Sequence, residues 1–251
     1  IMTNNKIYFI ANWKMYGTLK SVQSLKNVIK LKRKRIYKKA KIVYCPPYTL
    51  LGEFSKSIRN TDIELGAQNC HYNFDYGAYT GSVNSKMIKN IGCKYVIIGH
   101  SENRVSGEND KVINLKIKSS ISEKLKVIFC IGETLKEKRK NKTNSVLKKQ
   151  LINGLNKIKI KDNIIFAYEP VWSIGTGLVP KFNDLENQVI QIKKFIKKRF
   201  RIKNPIVLYG GSVNPKNISI LKQISSINGF LIGGASQNPK KFIDIIKKTI
   251  N

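Results

Sequence analysis

The chain has 251 residues, 41% of them hydrophobic and 25% charged, a balance that belongs to a folded protein and excludes a disordered tail or a collagen. Its 47 Lys and Arg against 15 Asp and Glu give a formal charge of +32, which first suggests a nucleic-acid partner. Only seven of the 47 are Arg, however, the basic residues run through the whole chain with their densest stretch at Lys30 to Lys41, and they contain no recognition motif. The surface is therefore read as a product of coding bias that can still steer an anionic substrate, and nucleic-acid binding is not expected as the main role.

In chain order, eight short apolar and β-branched runs predict strands at Ile7 to Ala11, Lys41 to Cys45, Ile63 to Ala67, Tyr95 to Ile98, Val127 to Ile131, Ile164 to Tyr168, Ile206 to Tyr209 and Phe230 to Ile232. They do not alternate cleanly between apolar and polar, as suits parallel strands covered on both faces. Between them lie stretches of helical period, such as Leu19, Val22, Leu25 and Ile29 after the first run and Leu185, Val189, Ile192 and Ile196 after the sixth. Eight repeats of strand and helix with no Pro/Gly/Ser-rich linker predict one α/β domain over residues 1–251, a closed (β/α)8 barrel of eight parallel strands surrounded by helices. The longest apolar runs are far shorter than the ~20 residues that cross a bilayer, and the first 20 residues lack the apolar segment of a signal peptide. A cytoplasmic protein is expected. Cys45, Cys70, Cys93 and Cys130 form no Cys-x-x-Cys pair and only two histidines accompany them, so buried reduced thiols are expected and no metal site.

Polar and glycine-rich residues follow the strands: Asn12 and Lys14, Gln68 and Asn69, His100 to Glu102, Gly132 and Glu133, Glu169, Gly210 to Ser212, and Gly233 with Gly234. In a parallel barrel those ends share one rim, so residues some 220 positions apart converge on one pocket. On position alone, Glu169 before Pro170 is either a general base or a structural carboxylate, and His100 and Lys14 are each open to a bland reading. The glycine pairs after the seventh and eighth runs would let backbone N–H groups approach a phosphate. The stretch Val171 to Gly177 has the composition of a mobile lid, able to exclude water from a reactive intermediate.

Over the whole chain and in the same order these segments resemble the triosephosphate isomerases. The resemblance rests on Asn12-Trp13-Lys14-Met15, Gly77-Ala78-Tyr79-Thr80-Gly81, Gly99-His100-Ser101-Glu102, Cys130-Ile131-Gly132-Glu133, Ala167 through Trp172, Ile174 through Gly177, Tyr209 through Val213, and Gly229-Phe230-Leu231 with Gly233 through Ser236. It implies a TIM barrel and an intramolecular aldose–ketose isomerase. The reaction would interconvert dihydroxyacetone phosphate and D-glyceraldehyde 3-phosphate through an enediolate, in glycolysis and gluconeogenesis, with no cofactor or metal. By the resemblance Glu169 is the base, His100 a neutral imidazole that polarises the carbonyl, Lys14 the cation that stabilises the enediolate, Asn12 its orienting partner and Glu102 an accessory acid. Backbone N–H groups of Gly175, Ser212 and Gly234, with Gly233 beside them, would hold the phosphate.

A homodimer is also implied, with Thr80 and the Gln68 to Asn84 loop reaching across. Ser82 and Asn103 stand where the family usually carries an ion-paired Glu and Arg. Losing both charges together is expected to rebuild that contact without stranding either. Leu178-Val179-Pro180 replaces the usual far end of the lid, and Pro180 is expected to alter lid motion while leaving the chemistry intact. The competing readings are another phosphate-binding barrel isomerase or aldolase and a basic nucleic-acid-binding protein. An aldolase would need a Schiff-base lysine where the sixth strand ends in Glu169.

Overall fold

A computed structural model describes residues 6–159 and 163–251; residues 1–5 and 160–162 of the expected unit lie outside the described residues. Eight strands, β1 Ile7–Asn12, β2 Ala40–Cys45, β3 Glu64–Ala67, β4 Tyr95–Ile98, β5 Lys126–Ile131, β6 Ile164–Tyr168, β7 Ile206–Tyr209 and β8 Gly229–Ile232, pair in parallel in that order, and β8 returns to β1 to close the barrel. Outside it lie α1 Leu25–Lys32, α2 Leu51–Ile58, α3 Ser85–Asn90, α4 Ser101–Val105, α5 Asp110–Ser122, α6 Leu135–Arg139, α7 Thr143–Gly154, α8 Phe182–Phe200, α9 Ile218–Leu221, α10 Gly234–Gln237 and α11 Pro239–Ile250. Each predicted strand is present to within one residue at either end. Among the described residues no helix is long and apolar enough to cross a membrane.

Local chemistry sets several helix ends. Asn109 accepts the Val112 N–H at the start of α5, and Thr134 with Glu137 forms a reciprocal cap on α6, satisfying amide donors that have no partner in the first turn. Asn238 caps α11, with Pro239 at its first position. The first predicted helix differs. Leu19–Ser24 is a 3-10 turn, α1 begins only at Leu25, and Leu19 is 67% exposed, so the buried stripe of α1 is Leu25, Val28 and Leu31. The later stripe is as expected: Leu185, Val189, Ile192 and Ile196 of α8 are all buried, each stabilising by roughly 1.5–3 kcal/mol through apolar burial.

The strands carry two cores. Outward-facing Phe9, Ala11, Val96, Ile98, Phe166 and Tyr168 pack under the helices. Ile10, Val43, Ile97, Ile128, Ile165, Leu208 and Leu231 form a second cluster that fills the barrel, with Ile10 level with Val43 and Leu231, and Ile128 level with Ile97 and Ile165. Side chains alternate across a strand, so continuing the inward series Ile10 to residue 12, Ile165 and Ala167 to 169, Leu208 to 210 and Leu231 to 233 brings Asn12, Glu169, Gly210 and Gly233 to the mouth.

Candidate active site

The mouth is a cavity of about 840 Å³ lined by Asn12, Lys14, His100, Glu169, Gly175, Ser212, Gly233 and Gly234, among others. Every expected catalytic or phosphate-binding residue except Glu102 thus lines one cavity, whereas Gln68, Asn69, Gly132 and Glu133 of the same strand ends do not line it. Glu102 does not line the cavity. Its side chain is 56% exposed and reaches in from the rim, Oε1 2.5 Å from Lys14 Nζ and Oε2 3.6 Å from His100 Nδ1.

Glu169 is 2% exposed. Its Oε1 lies 3.3 Å from His100 Nε2, and its Oε2 accepts the Ser101 backbone N–H at 3.4 Å. Burial raises its pKa above the ordinary carboxylate value; the Ser101 N–H and the Lys14 ammonium oppose that rise without cancelling it. The space around it depends on missing side chains: a Cβ at Gly132 would fall 1.7 Å from the Glu169 carbonyl oxygen and one at Gly210 2.7 Å from Glu169 Cγ.

His100 caps α4, its Nδ1 accepting the Glu102 backbone N–H at 3.2 Å. An accepting nitrogen bears no proton, so the imidazole is neutral with its N–H at Nε2, facing the cavity. Arg104 holds the turn from behind, donating to the Gly99 carbonyl at 2.9 Å and to Asp110 at 2.7 Å. Lys14 sits in the left-handed region at φ 55, uncommon for a residue with a side chain. The conformation is fixed by hydrogen bonds: the Lys14 N–H donates to Asn12 Oδ1 at 3.0 Å, and Gln68 Nε2 donates to the Lys14 carbonyl at 2.8 Å. Asn12 therefore orients the lysine through its backbone.

The lid leaves β6 through a 3-10 turn at Val171–Ser173. Trp172 anchors it, its Nε1 donating to Glu133 Oε1 at 2.9 Å while Lys138 Nζ lies 3.4 Å over its ring. Glu133 is itself buried, which raises its pKa, and it also accepts from Tyr168 OH at 3.2 Å. Gly175 and Gly177 both have positive φ, and the segment from Gly175 to Leu178 is exposed. Opposite, Ser212 follows β7, and Gly233 and Gly234 open α10.

The sequence placed Gln68 and Glu133 on the rim without a task for either, and did not single out Arg104. Arg104 was one of many cations, whereas Gln68 already stood with Asn69 among the polar residues that follow the third strand, and only its bond to the Lys14 carbonyl was out of view. Chemically, the mouth offers a buried carboxylate, a neutral N–H donor, an ammonium and glycine-flanked amides around one space. That set can remove and return a carbon-bound proton beside a carbonyl while holding the oxyanion.

A family model described as "Triosephosphate isomerase" matches residues 7–249. Relatives bearing that name are 43% identical in Dictyoglomus thermophilum, over 94% of this chain and 97% of that one, and 41% identical in Thermodesulfovibrio yellowstonii, over 96% and 99%. The crystal structure of triosephosphate isomerase from Bartonella henselae is similar at a TM-score of 0.87 and 36% identity, covering 97% of this chain and 98% of that one.

Proposed function

Because the chain belongs to the triosephosphate isomerase family and interconverts dihydroxyacetone phosphate and D-glyceraldehyde 3-phosphate, we infer that Glu169, His100, Lys14 and Asn12 carry this reaction and that Glu102 supports them. The observation that carries the assignment is the convergence of Asn12, Lys14, His100 and Glu169 on one cavity, with Glu169 Oε1 3.3 Å from His100 Nε2 and Glu102 Oε1 2.5 Å from Lys14 Nζ at its rim.

A three-carbon substrate entering between His100 and Glu169 takes the Nε2–H on its carbonyl oxygen and presents its adjacent C–H to the carboxylate. Glu169 takes the proton from C1 of dihydroxyacetone phosphate, and the C–H electron pair becomes the enediolate double bond while charge moves to O2. Glu169, now a carboxylic acid, returns the proton to C2. The hydroxyl proton crosses from O1 to O2 along the face the imidazole presents, and the aldehyde forms at C1. Such a C–H is far too weakly acidic for a carboxylate alone, so the His100 N–H and the Lys14 ammonium must hold the developing charge in the same step. Burial of Glu169 helps from the other side by making the carboxylate a stronger base. Backbone N–H groups of Gly175, Ser212 and Gly234, with Gly233 beside them, hold the phosphate, and the lid keeps water from an enediolate that can otherwise expel it.

The barrel acts as one catalytic domain in the cytoplasm, a setting that suits four cysteines that are all buried and unpaired. The working form is a homodimer joined through the Gln68 to Asn84 loop. Supporting this are Tyr72, Phe74, Tyr76 and Tyr79, exposed on that loop, with Met15 94% and Val105 85% exposed nearby in sequence to the site residues, large apolar surfaces of a kind that mark interfaces.

A coupled assay of triose phosphate interconversion tests the assignment. The wild type should be active and competitively inhibited by phosphoglycolate, and Glu169→Asp should keep its fold and lose about 10²-fold or more of kcat, the lower end of what a positioned base contributes. A folded Glu169→Asp protein with wild-type activity would remove the glutamate from the mechanism.

A further inference from the structure

Ser173 begins the exposed lid and is itself fully buried. Three polar groups crowd its hydroxyl: the Leu178 carbonyl at 2.5 Å, the Tyr209 hydroxyl at 3.0 Å and the Ser212 backbone N–H at 3.4 Å. The directions follow from counting protons. A serine hydroxyl has one proton to give and two lone pairs to fill, and a carbonyl only accepts. The Ser173 proton therefore goes to Leu178, the Tyr209 phenol donates to Ser173 Oγ, and the Ser212 N–H donates to the same oxygen. Every valence of the hydroxyl is used. The knot fits because position 211 is glycine: a Cβ there would stand 2.3 Å from the Tyr209 hydroxyl oxygen and 2.7 Å from Ser173 Oγ.

These bonds join parts that must act together. Ser173 and Leu178 bracket the lid, Tyr209 ends β7, and Ser212 is an amide assigned above to the phosphate. Along the far side of the lid, the Leu178 N–H is engaged by Thr176 Oγ1 and Pro180 brings no N–H, so the Leu178 carbonyl is the group by which that end is tied to Ser173.

We propose that Ser173 is a positioning residue for the isomerisation: its hydroxyl clamps both ends of the lid to Tyr209 and holds the Ser212 N–H until substrate phosphate takes it. The inference rests on the reading of Ser212 as a phosphate donor. Phosphate arrival exchanges a long N–H contact for a charge-assisted one and leaves the run from Tyr209 through Ser173 to Leu178 intact, so the lid moves as one piece between fixed ends. Removing the hydroxyl leaves the Leu178 carbonyl without its donor and the Tyr209 hydroxyl without its acceptor, and the lid closes with less definition over the enediolate.

The test is a cycle of Ser173→Ala, Tyr209→Phe and the double variant, each measured for KM, kcat, phosphoglycolate affinity, the share of turnover ending in inorganic phosphate and methylglyoxal, and the pH profile of kcat/KM. Each single change should weaken phosphoglycolate and raise the eliminated share by about 2- to 12-fold, the worth of one hydrogen bond. The pH profile should not move, since no group touching the reacting carbons is altered. The double variant should match the single ones, because either change breaks the same run. Wild-type affinity and product ratio in Ser173→Ala, or losses that multiply in the double variant, would overturn the proposal while leaving the isomerase assignment standing. A wild type that does not isomerise triose phosphates would overturn both.

Discussion

At the scale of single residues, the site sets function against stability. Glu169 has its pKa raised above 4.5 by burial, so the folded protein binds that proton more tightly than the unfolded chain does. The ionised carboxylate is then a cost to folding that is present above the folded pKa and absent below the unfolded one. Two results should follow. Activity as kcat/KM should fall as pH drops through the folded pKa of Glu169, with a midpoint above 4.5. Glu169→Gln should lower kcat by about 10²- to 10⁴-fold without lowering Tm, because it removes a buried charge and keeps the shape; a clear loss of Tm would mean that the carboxylate is held by partners worth more than its desolvation. The placement of Glu169 was legible in the sequence, since it stands at the end of the sixth apolar run, immediately before Pro170. The posture of Lys14 was not, because its φ of 55 is imposed by Asn12 and Gln68, the second of which comes from a strand 54 residues away. Nor was the burial of Ser173, which depends on Tyr209 and on the absence of a side chain at Gly211.

At the scale of elements, the strands were the most legible part, since strands covered on both faces read as unbroken apolar runs. The stretch Leu19 to Ser24 misled because Leu19, Val22 and Leu25 keep a helical spacing that a 3-10 turn also accommodates over so few residues. The lid shows where composition stops informing. Its glycines announced mobility, but the anchors that bound the motion, Trp172 on Glu133 and Ser173 on Leu178, are contacts in space. Pro180 stands just beyond them, two residues before α8, and restricts the backbone where the lid joins that helix. Replacing it by Ala should cost about 0.4–1 kcal/mol of stability, through the greater freedom of the unfolded chain, and should change the rate of lid motion while proton transfer is kept. Relaxation-dispersion NMR on the lid amides, with Trp172 fluorescence for the anchored end, would measure it; identical lid relaxation in wild type and Pro180→Ala would mean that the proline does not govern the hinge.

At the scale of the whole molecule, the charge of +32 acts in two opposed ways. Between two copies it is repulsion, which screening weakens, whereas between the protein and a phosphorylated substrate it is attraction, which the same screening also weakens. Raising ionic strength should therefore strengthen the dimer and slow substrate capture. The Glu and Arg pair usual in the family is not available to the proposed dimer, since Ser82, which closes a turn on the Tyr79 carbonyl at 2.9 Å, and Asn103 are both neutral. In the proposed dimer the association would rest on the aromatic surface of the Gln68 to Asn84 loop, whose apolar burial salt does not oppose. Size-exclusion chromatography at about 0.01 M and about 0.5 M salt, where the Debye length falls from roughly 30 Å to under 10 Å, should show the dimer gaining at high salt, while kcat/KM at a concentration that keeps the dimer intact should fall. A monomer under both conditions would rule out the dimer, and a dimer that weakens with salt would place its contacts on ion pairs, contrary to an interface built on Tyr72, Phe74, Tyr76 and Tyr79.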